Sequence, residues 1–130
     1  MNQPLFNFNT AYRTKQTLFT AVWNGLAKQG FKRSVRDDGL CKYAGPNETG
    51  CAVGVLLPRD VAKSLDRTAT TTAIEDLIAR GIVRASKEKS NLLDACQLAH
   101  DHGITPAEMQ EELRKVAKQF GLTVPGEVGK

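Results

Sequence analysis

Residues 31–45, FKRSVRDDGLCKYAG, decide the fold class that the sequence predicts. Phe31, Arg33 and Val35 alternate with the residues between them, which is the two-residue period of a β-strand. The DDG that follows is a strong signal for a hairpin turn, and LCKYA can return as the second strand. This stretch therefore predicts a small antiparallel β-hairpin.

A helix is predicted on the N-terminal side of this hairpin, over residues 14–29. Apolar side chains recur there at i, i+4 and i+8, which places them on one helical stripe. Thr14 is a candidate N-cap, and Gly30 suits the position just after the last helical residue. We therefore expect an amphipathic helix that lays its apolar face against the hairpin.

The sequence after the hairpin is predicted to be helical. CAVGVLL, residues 51–57, is too short to assign by periodicity, although a helical turn beginning at Cys51 is favoured over a third strand. Pro58 suits the first position of the next helix. In the last helix, Thr105 as N-cap, Pro106 and Glu108 form a capping box with a proline start. The predicted helices cover residues 58–66, 71–80, 90–102 and 105–120.

The predicted fold class is α+β, with the small antiparallel hairpin at about residues 31–45 packed against four to five helices. An isolated hairpin is only marginally stable in water, so the helices must supply the layer that buries its apolar face. We expect an N-terminal extension over residues 1–13, a single compact domain over residues 14–123 and a loose tail over residues 124–130.

The bulk composition is that of an ordinary globular domain. A chain of 130 residues with 41% hydrophobic and 25% charged residues can bury a core without disulfides or metals. No apolar run approaches the roughly 18–20 residues of a membrane span, and no secretory signal pattern opens the chain. We therefore expect a cytoplasmic protein with no membrane association, in which the three cysteines are thiols. The oligomeric state stays open.

Three separated motifs carry a resemblance to a known group of proteins. They resemble a group of small phage and prophage proteins, over roughly residues 16–125. The resemblance implies an origin in a mobile genetic element, hence the cytoplasm of the host cell, and it lends no catalytic residues. Cys96 stands where that pattern is aliphatic, which implies a packing role for Cys96. The motifs are C-x-Y-x-G at Cys41, Tyr43 and Gly45, C-A-V-G-x-L-x-P from Cys51 to Pro58, and Q-x-x-H-D at Gln97, His100 and Asp101.

The sharpest catalytic hypothesis is a thiol nucleophile, with Cys51, His100 and Asp101 as candidates. A cysteine at the start of a helix has a stabilised thiolate, and His100 could supply the base. An acid that orients His100 would have to come from elsewhere than Asp101, because adjacent side chains on a helix point about 100° apart. The alternative is that Cys51 is a small buried residue among valines. The sequence does not require an enzyme.

A zinc site is the second chemical hypothesis. Cys96 and His100 lie at i and i+4 on one predicted helical face, a spacing compatible with tetrahedral zinc. The first cysteine pair is much further apart in sequence than the usual two to four residues. We therefore expect no cofactor and keep zinc as an alternative. Its candidate ligands are Cys41, Cys51, Cys96 and His100.

The net charge of +4 favours an acidic partner. Cations around the predicted hairpin could contact phosphates while its aromatic residues stack on bases, so a nucleic-acid-binding protein is one alternative. The favoured function is a small phage or prophage accessory protein, a non-catalytic binder or inhibitor of a host or viral macromolecule, with a protein as its partner. The candidate binding residues are Phe31, Lys32, Arg33, Arg36, Lys42 and Tyr43.

Overall fold

The computed structural model describes residues 4–34, 43–45, 49–68 and 74–126, and these ranges are mostly helical. A 3₁₀ turn, Gly54–Leu56, lies between the second and third α-helices. The regular elements in chain order are β1 Phe6–Asn7, α1 Phe8–Ala11, α2 Lys15–Lys28, α3 Arg59–Thr68, α4 Ile74–Ala79, β2 Val83–Arg84, α5 Lys87–His102 and α6 Pro106–Phe120.

The predicted α+β fold with an antiparallel hairpin is wrong. The one strand pair in the described ranges is parallel and only two residues long, with Phe6 opposite Val83. Residues 31–34 form a turn and coil, and residues 43–45 form a bend and coil. The predicted DDG turn, within residues 35–42, lies outside the described part of the chain. The described elements are those of a helical protein with a minimal parallel strand pair.

The apparent start of the hairpin is the end of a helix. Gly30 adopts a left-handed conformation (φ +72°), and Phe31 follows it at φ +56°. The Gly30 N–H donates to the Ala27 carbonyl at 2.9 Å, and the Phe31 N–H donates to the Leu26 carbonyl at 2.8 Å. These two bonds form a Schellman motif, in which an apolar residue typically follows the glycine and packs back on the helix. Phe31 fills that role, with its ring centroid 5.0 Å from that of Trp23.

The predicted helices are confirmed where local end signals marked them. The Thr14 hydroxyl accepts the Thr17 N–H and completes a capping box at the start of α2. The Thr105 hydroxyl accepts the Glu108 N–H at the start of α6. Gly121, at φ +70°, ends α6 in the left-handed conformation that glycine adopts most readily. Each of these ends is determined by residues within one turn of it.

The favoured helical turn at Cys51 is also confirmed. The Val55 N–H donates to the Cys51 carbonyl at 2.9 Å, and the 3₁₀ turn Gly54–Leu56 follows directly. Pro58 then precedes the first residue of α3. The run of apolar residues is buried because it passes between α2 and α5, where Cys51, Ala52 and Val53 are almost inaccessible to solvent.

Helix α5 is the centre of the core. It packs against α6 on one side and against α2 and α4 on the others. The segment before α2 joins the same core, since Phe8 is completely buried and Phe6–Asn7 pairs with β2. At the other end, Val124 is 8% exposed, and the Gln16 side chain pairs with the Thr123 backbone through two hydrogen bonds of 2.9 and 3.0 Å. Residues 127–130 lie outside the described part.

No helix in the described ranges is both long enough and apolar enough to cross a lipid bilayer.

Candidate functional site

The chain between α2 and α3, residues 29–58, is here called the connecting segment. Its described parts hold little regular structure apart from the 3₁₀ turn. A long irregular segment within a compact domain must still satisfy its buried backbone N–H and C=O groups. In this protein, side chains from α3 and α5 and the residue that ends α2 supply many of those partners.

Gln29, at the end of α2, binds the middle of the connecting segment. Its amide pairs with the Gly50 backbone in both directions: Nε2 donates to the Gly50 carbonyl at 2.7 Å, and Oε1 accepts the Gly50 N–H at 2.9 Å. The same Nε2 donates to the Lys32 carbonyl at 2.8 Å. One side chain therefore joins two parts of the segment that lie far apart in sequence.

Helix α3 holds the connecting segment through one acidic and one basic side chain. The two carboxylate oxygens of Asp66 accept the N–H groups of Tyr43 and Ala44, each at 2.8 Å. The Arg59 guanidinium donates to the Gly45 carbonyl at 2.6 Å and to the Thr49 carbonyl at 2.9 Å. Charge-assisted bonds of this kind are about twice as strong as neutral ones. They fix residues 43–45 and Thr49 against α3.

Two glycines allow the segment to pack closely on itself and on α2. A Cβ on Gly54 would overlap the backbone of Tyr43. A Cβ on Gly25, in the middle of α2, would lie only 2.8 Å from the Val55 side chain. Both positions therefore require glycine because a Cβ would not fit, although neither backbone is in the left-handed conformation. Both glycines lie on the same side of the molecule.

His100 on α5 binds the segment through a backbone bond. The imidazole is completely buried, and its Nε2 accepts the Ser34 N–H at 3.0 Å. Its Nδ1 lies 2.9 Å from Oδ1 of Asp101. Because Nε2 accepts a hydrogen bond, Nδ1 must carry the proton and donate it to the Asp101 carboxylate. His100 is therefore neutral in this arrangement, with both ring nitrogens engaged.

The expectation that Asp101 could not reach its neighbour is wrong. The Asp101 side chain, 36% exposed at the edge of α5, bends toward His100 and brings Oδ1 to Nδ1. Gln97, one turn earlier, steadies the carboxylate by donating Nε2–H to the same oxygen at 3.0 Å. The Gln97 Oε1 in turn accepts the Val53 N–H at 3.3 Å. Gln97, His100 and Asp101 form one network, here called the α5 anchor.

The α5 anchor does not have the geometry of a thiol–imidazole pair. A general base must offer a lone pair to the proton that it removes. The Nε2 lone pair of His100 already accepts the Ser34 N–H. Cys51 is a free thiol with no exposed surface. Cys51 and His100 therefore lie in the core and Asp101 lies at its edge, where the contacts of His100 and Asp101 help to hold a backbone segment in place.

The predicted zinc ligands are not assembled in the described ranges, where no three His, Cys, Asp or Glu side chains are grouped closely enough to hold a metal ion. Cys41 lies outside those ranges. Cys96 is completely buried, and burial raises the pKa of its thiol from 9.0 to about 12. A thiol with such a pKa stays protonated at neutral pH and packs as a small apolar side chain.

The predicted binding residues separate into three groups. The aromatic candidates Phe31 and Tyr43 are buried, at 9% and 2% exposure, so neither offers a free face for stacking. Lys32 and Arg33 are exposed, and the Arg33 guanidinium donates to the Asp101 carbonyl at 3.1 Å. Arg36 and Lys42 lie outside the described residues. The structure thus brings only part of the predicted cluster to the surface.

A cleft of about 280 Å³ opens between α2, the 3₁₀ turn and the start of α3. No sequence motif predicts this cleft, although an isolated glycine within a helical pattern, Gly25, is a signal of close backbone approach. Two cations stand at this cleft together with polar and apolar groups of the connecting segment. Its lining includes Gly25, Lys28, Gln29, Thr49, Val55 and Arg59.

Comparisons of the chain with protein-family models, with curated proteins and with solved structures found no match in any of the three.

Proposed function

We propose that this protein is a non-catalytic binding protein that acts on a host or viral macromolecule, in the manner of a phage or prophage accessory protein. The observation that supports this proposal best is the bonding of His100. Its two ring nitrogens are engaged by Ser34 and Asp101, so the residue best suited to acid–base chemistry serves as an anchor for the connecting segment.

Irregular chain that a helical scaffold holds in place, as in the described parts of the connecting segment, suits recognition. Binding residues occur disproportionately on loops that a regular scaffold positions. Here Gln29, Arg59, Asp66 and the α5 anchor hold the connecting segment at separate points, which limits the conformational entropy that binding must remove. The positive net charge adds attraction for an acidic partner.

Thiol labelling tests the non-catalytic assignment. Cleavage after Lys and Arg places Cys41, Cys51 and Cys96 in three different peptides, so iodoacetamide labelling of each thiol can be followed separately. We expect Cys51 and Cys96 in the folded protein to react far more slowly than in the urea-unfolded chain. Labelling of Cys51 at neutral pH that matches or exceeds its rate in the unfolded chain would contradict the proposal, because it would reveal an accessible, activated thiolate.

A further inference from the structure

Helix α3 exposes three cations along one face. Arg59, Lys63 and Arg67 are all exposed and follow one another at i, i+4 and i+8. At a rise of about 1.5 Å per residue, this α3 cation row extends over about 12 Å. Rows of cations at this spacing follow a charged strand better than they bind a single small anion.

The charges of the row are little compensated by the acids of the same helix. Asp66 accepts the backbone N–H groups of Tyr43 and Ala44, so its carboxylate is turned toward the connecting segment. Asp60 is exposed and lies one turn before Lys63, but it forms no ion pair with Arg59 or Lys63 within the described ranges. Within the described ranges, neither Lys63 nor Arg67 forms an ion pair. The row therefore presents positive charge to solvent.

The row ends in the cleft. Arg59 belongs to both, and Lys28 lines the cleft from α2. The bonds of Arg59 to the Gly45 and Thr49 carbonyls fix its guanidinium and use two of its five N–H donors. The remaining donors, with the Lys28 ammonium, can bind a phosphate oxygen. Val55 gives the same cleft an apolar surface, which suits a sugar ring.

We propose that the cleft and the α3 cation row bind the phosphate backbone of single-stranded nucleic acid. The volume of about 280 Å³ is near the lower end of small-molecule sites, which span about 300–1,000 Å³. It can admit one phosphodiester with its sugar, whereas a duplex cannot enter it. Among the residues that the structure describes, the cleft lining contains no aromatic side chain for base stacking. Binding should therefore be independent of sequence and strongly dependent on salt.

The salt dependence can be estimated from the number of contacts. Four cations, Lys28, Arg59, Lys63 and Arg67, would each neutralise one phosphate. At about 0.7 per contact for a single strand, log K should fall against log salt with a slope of about −2.8. The same relation makes each contact worth about fivefold in affinity at about 0.1 M salt.

The experiment measures fluorescence anisotropy of a labelled oligothymidine of about 20 nucleotides, titrated with the full-length protein at several salt concentrations. The test variant is the double substitution Lys63→Ala with Arg67→Ala, because neither side chain anchors the fold in the described ranges. The control is Arg84→Ala with Lys118→Ala, which removes the same charge from exposed positions on β2 and α6. Urea unfolding of both variants verifies that they are folded.

We expect the test variant to bind about 25-fold more weakly than the parent at about 0.1 M salt. Its slope of log K against log salt should be shallower by about 1.4. The control should change affinity by less than about threefold. Absence of oligothymidine binding at low salt would overturn the proposal, as would equal losses in the two variants. Competition by a duplex as effective as that by the single strand would also overturn it.

This inference rests on the proposed binding function, but the two fail separately. Rapid labelling of Cys51 would overturn the non-catalytic assignment whatever the oligothymidine does. Inert thiols together with no oligothymidine binding would leave a binding protein whose acidic partner is something other than a nucleic-acid strand.

Discussion

Replacement of His100 tests whether this residue serves as an anchor. His100→Leu keeps a similar side-chain volume but removes the acceptor of the Ser34 N–H, and both residues are buried, at 0% and 2% exposure. A lost neutral hydrogen bond costs about 0.5–1.5 kcal/mol, and an unpaired buried N–H costs about 1–3 kcal/mol. The contact with Asp101 adds less, because that carboxylate is partly exposed and keeps its bond from Gln97. The unpaired N–H therefore dominates the loss, and we expect the free energy of unfolding to fall by about 1–3 kcal/mol.

His100→Gln is the matched control for this loss. The glutamine Oε1 reaches about as far as the imidazole Nε2 and can accept the same Ser34 N–H, so we expect a loss of only about 0.5–1.5 kcal/mol. Urea unfolding followed by the fluorescence of Trp23, the single tryptophan, gives both values. A His100→Leu variant within about 0.5 kcal/mol of the parent would refute the assigned role, as would equal losses in the two variants.

Three further substitutions test other contacts of the core. Asp66→Asn should lower the free energy of unfolding by about 1.5–3 kcal/mol, because Tyr43 and Ala44 donate to different carboxylate oxygens and the substitution replaces one of these with an NH2 donor. A loss below about 0.5 kcal/mol in urea unfolding would contradict this. Gly54→Ala should cost more than about 2 kcal/mol, since its Cβ overlaps Tyr43, and a melting temperature equal to that of the parent would show that the contact can relax. Cys96→Val should make the free energy of unfolding less dependent on alkaline pH. Burial raises the folded-state pKa of the Cys96 thiol from 9.0 to about 12, so above pH 9 the thiol loses its proton in the unfolded state first. The stability of the parent should therefore decline by about 1 kcal/mol per pH unit until about pH 12. Parallel stability-against-pH curves for parent and variant between pH 9 and 11 would contradict that assignment.

The helices could be predicted because their end signals are local. Thr14 and Thr105 each bond within one turn, and Gly121 needs only its own backbone conformation. The same locality explains the error at the predicted hairpin. Phe31 after Gly30 is the apolar residue of a helix-ending motif, and an alternating pattern over so few residues does not distinguish that motif from the start of a strand.

The candidate site could be predicted only as a set of residue types. The sequence marks His100 and Asp101 as chemically capable, but whether Nε2 is free depends on Ser34, which is 66 positions away. The cleft depends in the same way on Gln29 reaching Gly50 and on Gly25 meeting the 3₁₀ turn. Such long-range pairs are set by tertiary packing, so local pattern cannot reveal which polar residues are anchors and which are free to bind.

The most direct test of the account is the tautomer of His100 in solution. Nuclear magnetic resonance of ¹⁵N-labelled protein correlates the ring nitrogens of the two histidines with their ring protons, and the His100→Gln variant assigns the signals. At neutral pH the account predicts a single neutral tautomer for His100, with Nδ1 protonated toward Asp101 and Nε2 unprotonated as the acceptor of the Ser34 N–H. A proton on Nε2, or two tautomers in exchange, would contradict it, because His100 would then be free to act as an acid or base.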